Sequence, residues 1–216
     1  MPGPIAVYPL NAVYHAHPVS PYNVPPGKIV GATLDYGPDG RSGGSYAFAG
    51  TAQSYIEIPG GSLLDTRYSI SILLHVYPEA VGPLVHFERG GNIWAVHLWL
   101  LATTGIYWVI ENRYSPGQYK YFSRRVLTMR EWNFFAVTYD YNTELSAIWK
   151  DGKKVGEINA GKMEISTNNP IRIAAKPNDN RYFKGRICCI QFYNRALSQE
   201  EIIGAKTKCQ KLGKKS

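Results

Sequence analysis

The sequence predicts an all-β protein: an antiparallel two-sheet β-sandwich, or jelly roll, closed by a short C-terminal helix. Three observations carry that reading. Sixteen tyrosines, 21 glycines and 14 prolines in 216 residues favour short strands joined by many turns. From Tyr46 onward, alternating apolar segments follow one another with no strand–helix–strand spacing between them. Helical periodicity is confined almost entirely to the segment after Ser198. A chain of this length can bury roughly 70% of its unfolded surface in one core, so a single domain over residues 1–209 is expected, with 210–216 as a basic tail.

The elements follow in order. The segment up to Gly44 is rich in loops; Tyr8 to Leu10 can form a first strand, and the runs NVPPGK, YGPDG and RSGG mark turns. Tyr46 to Gly50 and Tyr55 to Pro59 are short alternating strands. Tyr68 to Pro78 places Ile70, Ile72, Leu74 and Val76 on one face, as in a long half-buried strand. GPLVHFE, NIWAVHLWL and IYWVIENRY continue the series, and YSPGQYKYF reads as a tyrosine-rich hairpin loop. WNFFAVTYD and LSAIWK come next, and Asp151-Gly152 between LSAIWK and KKVGEI is a hairpin turn signal. PIRIAA leads to the closing strand. In that strand simple alternation sends Ile187, Cys189 and Gln191 one way, and Cys188, Ile190 and Phe192 the other. Ser198 with Glu201 three residues on is a capping box, and Ile202 and Ile203 give the helix an apolar side.

Adjacent cysteines on a strand face opposite sides, so Cys209 can pair with one of Cys188 and Cys189. The chain returns past the helix toward the face of Cys189, which predicts a Cys189–Cys209 disulfide and an odd Cys188; three free thiols in a reducing compartment is the alternative. The net charge of +8 is concentrated at the end, where the last twelve residues hold five lysines and no acid. Such a run is a solvated tail or a magnet for sulfated glycans and acidic proteins. The first residues lack the cationic start and apolar stretch of a signal peptide, and no apolar run is long enough to span a membrane.

Three blocks carry a family resemblance. YAFAGTAQSYIEIPGGSLLDTRYSISILLHVYP, WNFFAVTYDYNTELSAIWKDGKKV and FKGRICCIQFYNRALSQEEI together resemble the concanavalin A-like, laminin G-like jelly rolls, over roughly Tyr46 to Cys209. The resemblance implies a secreted, non-catalytic module of a longer chain that recognises a glycan or an extracellular protein, and not nucleic acid. A structural or adhesive spacer in a matrix or receptor protein is the alternative, and a carbohydrate-active enzyme a more distant one. Many such jelly rolls carry acidic residues in an early and in the last strand that resemble a calcium site. Ala49, Cys188 and Cys189 stand at those positions here, so neither the site nor a cofactor carries over.

No paired carboxylates at glycosidase spacing occur, and Glu57, Glu88, Glu111 and Glu157 are isolated in sequence. His15 and His17 offer two imidazoles with no third ligand nearby, and His75, His86 and His97 read as sheet histidines. Asn178 to Arg181 is a polar loop in which Asp179 can donate oxygen to a calcium ion or to a sugar, or which is a plain turn. Trp94, Trp99, Trp108 and Trp149 are the candidates for sugar stacking. Trp94 and Trp99 are five residues apart, so on one continuous strand they face opposite sides. Arg113, Lys120, Arg124 and Arg125 flank the tyrosine-rich loop and suit a sulfated or acidic partner. The expected binding residues are therefore Trp108, Arg113, Arg124, Arg125, Asn178, Asp179 and Arg181, with no catalytic or metal site.

Overall fold

The structure, a computed structural model, describes residues 3–90, 94–102 and 105–212. Its strands are β1 (Ala6–Tyr8), β2 (Lys28–Val30), β3 (Thr33–Asp35), β4 (Ser45–Ala49), β5 (Tyr55–Ile58), β6 (Ile70–Ala80), β7 (Gly82–Phe87) and β8 (His97–Leu101). They continue as β9 (Gly105–Glu111), β10 (Tyr119–Arg125), β11 (Asn133–Tyr139), β12 (Leu145–Lys150), β13 (Lys153–Asn159), β14 (Ile171–Ile173) and β15 (Lys184–Tyr193), followed by helices α1 (Gln199–Ala205) and α2 (Lys208–Leu212). Every strand pair is antiparallel. The first sheet runs β13-β12-β11-β6-β15-β4-β3, and β1 joins it beside β15. The second runs β10-β9-β8-β7-β14-β5-β2. This is the two-sheet sandwich the alternation predicts. The first strand falls slightly earlier than Tyr8 to Leu10, and the end of the tyrosine-rich loop is itself the edge strand β10. No helix among the described residues is long and apolar enough to cross a membrane.

Ile70, Ile72, Leu74 and Val76 of β6 face the interior with Phe87, Leu98, Ile106 and Trp108 of the second sheet. The expectation of a half-buried β6 is corrected. Its other side, at Leu73, is covered by α1, which seats Ile202 and Ala205 with Phe134, Ala136, Ala147 and Trp149. The helix starts where its capping box predicts, with both halves of the Ser198–Glu201 exchange present. Its last carbonyls find buried donors: Gln191 Nε2 donates to the Ala205 oxygen (2.9 Å), and His75 Nε2 to the Lys206 oxygen (2.9 Å). The β12–β13 hairpin turns at Asp151 and Gly152, both with positive φ (51° and 82°), and a side chain on Gly152 would run into Ile203 of α1.

Cys189 and Cys209 are disulfide-bonded, and Cys188 is free and buried. The pairing is the expected one, but the alternation behind it breaks. Between Cys188, paired with His75, and Gln191, paired with Leu73, β15 contains a bulge. Cys189 there adopts a left-handed backbone (φ 53°), and its N–H bonds the Pro9 carbonyl. Beyond the bulge Ile190 and Phe192 share the main core with Ile187. The bulge lies where the partner of β15 changes from β4 to β1. Helix α2 takes in residues 210–212 of the expected tail, and Lys206 ahead of it pairs with Asp151 (2.7 Å); residues 213–216 lie outside the described residues.

Candidate aromatic binding site

The outer face of the second sheet is aromatic where a solvated sheet face is ordinarily polar. Strand alternation sends His97 and Trp99 of β8, Tyr107 and Glu111 of β9, and Tyr119 and Tyr121 of β10 to that side. Register sets them in rows, with Trp99 opposite Tyr107, and Glu111 opposite Tyr119. The rings touch in series: Trp94–Trp99 at 5.4 Å between centroids, Trp94–His97 at 4.8 Å, His97–Tyr107 at 5.9 Å and Tyr107–Tyr121 at 5.4 Å. Trp94, Trp99, Tyr107, Tyr119, Glu111 and Arg181 line a cavity of about 500 Å³.

Arg181 forms the lip. Its guanidinium lies 4.4 Å from the Trp99 ring centre and 5.7 Å from that of Trp94. Asp179 holds it with both oxygens, Nε to Oδ1 at 2.9 Å and Nη2 to Oδ2 at 2.6 Å, and also accepts the Arg181 backbone N–H. These bonds from Arg181 hold the Asp179 carboxyl below its usual range. Glu111 closes the floor, buried, its Oε2 3.3 Å from Arg89 Nη1 and its Oε1 accepting the Gly117 N–H at 3.0 Å. The Trp99 indole N–H is buried without a partner among the described residues, an unmet donor in the cavity wall.

Beneath the rings lie buried ionisable groups. Burial pushes His97 down to about 4, although the bond its Nδ1–H makes to the Ala95 carbonyl (2.7 Å) pulls the other way. Burial and then His97 hold His86 well below the usual imidazole range. Burial pushes the Glu88 carboxyl up to about 7, against Arg172 and Lys176. Glu88 Oε1 lies 3.4 Å from His86 Nε2, without the alignment of a hydrogen bond.

The structure gathers some of the expected residues and disperses others. Trp108 is corrected: it lies in the core, 1% exposed, its indole N–H donating to Ser146 Oγ (2.9 Å), so it offers no ring to a ligand. Ile106 and Ile110, its neighbours at the same parity on β9, are the signal that marks its face as core. Trp149 is likewise buried, beneath α1, and donates to Thr138 Oγ1 (3.1 Å). Trp94 and Trp99 line one cavity instead of opposite faces, because β8 begins only at His97 and the bend at Val96 resets the alternation. Arg113 lies elsewhere, paired with Asp65 and donating to the Ile165 carbonyl (3.1 Å). Arg124 points to the opposite side of β10, along the Phe122 ring (5.5 Å) and against Gly156 of β13. Arg125 is exposed at the end of β10. Asn178 and Asp179 lie with Arg181 on a polar shelf next to the cavity. His15 and His17 sit in a turned segment and not on a strand, His15 Nδ1 bonding Tyr46 Oη (2.7 Å) and His17 Nδ1 the Tyr14 carbonyl (3.2 Å). Among the described residues no three His, Cys, Asp or Glu side chains stand together as metal ligands.

Solved structures share the fold. The binding domain of Paraclostridial Mosquitocidal Protein 1 superposes with a TM-score of 0.71 at 15% identity, over 94% of this chain and 51% of its own. The botulinum neurotoxin serotype G binding domain gives 0.70 at 12%, over 93% and 50%. The botulinum neurotoxin serotype D ligand-binding domain, in complex with N-acetylneuraminic acid, gives 0.72 at 12%, over 93% and 50%. The chain thus spans about half the length of each. No curated protein sequence matches it. A family model does, over residues 49–203, and by that match the chain belongs to the concanavalin A-like lectin/glucanase superfamily, in its laminin G branch.

Proposed function

We propose that the chain is a non-catalytic recognition module, secreted as part of a longer protein, that binds a saccharide in the aromatic cavity. One observation carries this: Trp94, Tyr107 and Tyr119 open onto a single cavity of about 500 Å³ whose lip is a guanidinium and whose wall is backed by the buried Trp99. Sugar rings stack their C–H faces on aromatic rings while their hydroxyls take polar partners, and Arg181 and Glu111 are such partners. The similar toxin structures are binding and ligand-binding domains, one of them holding N-acetylneuraminic acid, which supports a binding role. Glycoside hydrolysis uses two carboxylates, whereas Glu111 is the one carboxylate among the described cavity-lining residues and is occupied by Arg89. The disulfide favours an oxidising, extracellular setting. Calcium is not part of this reading.

A glycan array, with hits titrated by tryptophan fluorescence with and without EDTA, tests it. The expected result is saturable, EDTA-insensitive binding that Trp94→Ala weakens by about tenfold or more, at unchanged melting temperature. Absence of saturable binding, or hits indifferent to Trp94→Ala, overturns the proposal.

A further inference from the structure

We propose that the shelf beside the aromatic cavity is an anion subsite centred on Lys176, which makes the ligand an acidic saccharide carrying a carboxylate or sulfate next to its stacked ring. The inference rests on the saccharide reading of the cavity and narrows it to a ligand class.

The shelf is lined by Arg172, Lys176, Asn178, Asp179, Asn180 and Arg181, among others, around a volume of about 840 Å³. Arg181 belongs to both walls, so the shelf and the cavity are neighbours on either side of one guanidinium. Two of the three cations already have carboxylates. Arg172 grips Glu57, with Nε at 3.2 Å from Oε2, and Arg181 grips Asp179. Lys176 does not. Its side chain is buried, only 5% exposed, and its ammonium lies 4.7 Å over the Trp94 ring. It donates to the Pro177 carbonyl at 3.2 Å. Among the described residues no carboxylate comes within ion-pair distance of it.

An ammonium carries three donors, and a buried charge is costly unless it is paired. Glu88 and Asp179 reach Lys176 only through space. The arrangement therefore holds a desolvated cation with donors to spare at the mouth of a cavity, where an anion gains a charge-assisted bond with little further desolvation of the protein. Asn178, Asn180 and Tyr182 add neutral partners for the hydroxyls around that anion. The ammonium over Trp94 also ties the subsite to the stacking wall, so ring and anion are read together.

The test compares matched probes: lactose with 3′-sialyllactose, and a chondroitin tetrasaccharide with its desulfated form. The acidic member of the recognised pair is expected to bind about tenfold or more tightly, the yield of one charged hydrogen bond. Lys176→Met keeps the stem over Trp94 and removes the charge; it should bring the affinity of the acidic member down to that of the neutral one, whereas Lys176→Arg keeps the preference. Sodium sulfate at constant ionic strength should compete with the acidic probe on the wild-type protein, and not with the neutral one, which needs no variant to fold. If neutral and acidic members bind alike, and neither Lys176→Met nor sulfate distinguishes them, the subsite is refuted while the saccharide reading stands. If no saccharide of either kind binds, both fall together.

Discussion

Replacing Cys209 with serine removes the one covalent tie between the C-terminal helices and the sheet. The disulfide spans 20 residues of chain, from the β15 bulge to α2. Releasing a loop of that length from the unfolded ensemble costs about 3 kcal/mol of stability in the chain-entropy account. For a domain of this size each kcal/mol moves the melting temperature by roughly 2–4 °C, so a fall of about 10 °C is expected. The native side of the balance should change little. α2 buries no residue, while α1 keeps Ile202 and Ala205 in the outer core and its last carbonyls on Gln191 and His75. Scanning calorimetry of Cys209→Ser against wild type measures the shift, and hydrogen exchange locates it. Protection should be lost over α2 and kept over α1, β6 and β15. A shift below about 2 °C would mean the loop constraint is not acting through the unfolded state. Loss of protection across β15 would mean that the disulfide, and not the Pro9–Cys189 backbone bond, holds the bulge. Cys188 serves as an internal control: burial pushes its thiol far up, and it should resist alkylation until the protein unfolds.

Trp108→Ala should cost about 3–5 kcal/mol in urea unfolding, by emptying a fully packed core position. Ser198→Ala should cost about 1 kcal/mol, by deleting half of the capping box, and Ser198→Gly only a few tenths. Glu88 makes stability depend on pH. Its carboxyl is raised from 4.5 to about 7, so the folded chain holds that proton more tightly than the unfolded one; the resulting stabilisation is complete below 4.5 and is lost as pH rises through 7. Glu88→Gln should thus match wild type at pH 4 and exceed it at pH 8, by up to about 3 kcal/mol, read from urea midpoints. His97 acts in the opposite sense: held down at about 4, it withdraws stability as pH falls from 6.5 toward 4, and His97→Gln should flatten that limb.

Local chemistry made much of the fold legible. Ser198 and Glu201 announce the helix start, Asp151-Gly152 the hairpin, and Ile70, Ile72, Leu74 and Val76 the inner face of β6, because each depends on residues a few positions apart. The site was less legible because it depends on strand parity, and parity does not survive an irregularity. The bend at Val96 brings Trp94 round to the side of Trp99, and the bulge at Cys189 moves Ile190 and Phe192 to the side of Ile187. Trp108 and Tyr107 show a second limit. Alternation separates them cleanly, but which of the two faces is covered is decided by the other sheet, whose Ser146 on β12 accepts from Trp108 across 38 residues of sequence. Lys176 escaped notice for a related reason: a lysine in a loop reads as solvated, and only the fold shows that this one is largely buried with its ammonium over the Trp94 ring.

The two sheets treat their outer faces differently, and that difference is what makes the aromatic cavity informative. On the first sheet α1 covers Leu73, Phe134, Ala136 and Trp149, so apolar residues there are accounted for by folding alone. On the second sheet no helix among the described residues covers β8, β9 and β10, yet their outward positions include Tyr107, Tyr119 and Tyr121, the last two about half exposed (50% and 56%). Apolar surface left in water forfeits about 25 cal/mol for each Å² not buried, and threonine or serine would satisfy the same strands without that loss. Folding therefore gives no reason for these rings, and the buried, unpaired Trp99 N–H and the carboxylate-free Lys176 beside them are further costs that folding does not explain. Costs that cluster in one place without a structural return are what a binding site leaves behind when its occupant supplies the missing contacts. The rings offer a face for stacking and the ammonium a partner for an anion, the two features that the acidic saccharide proposed above combines.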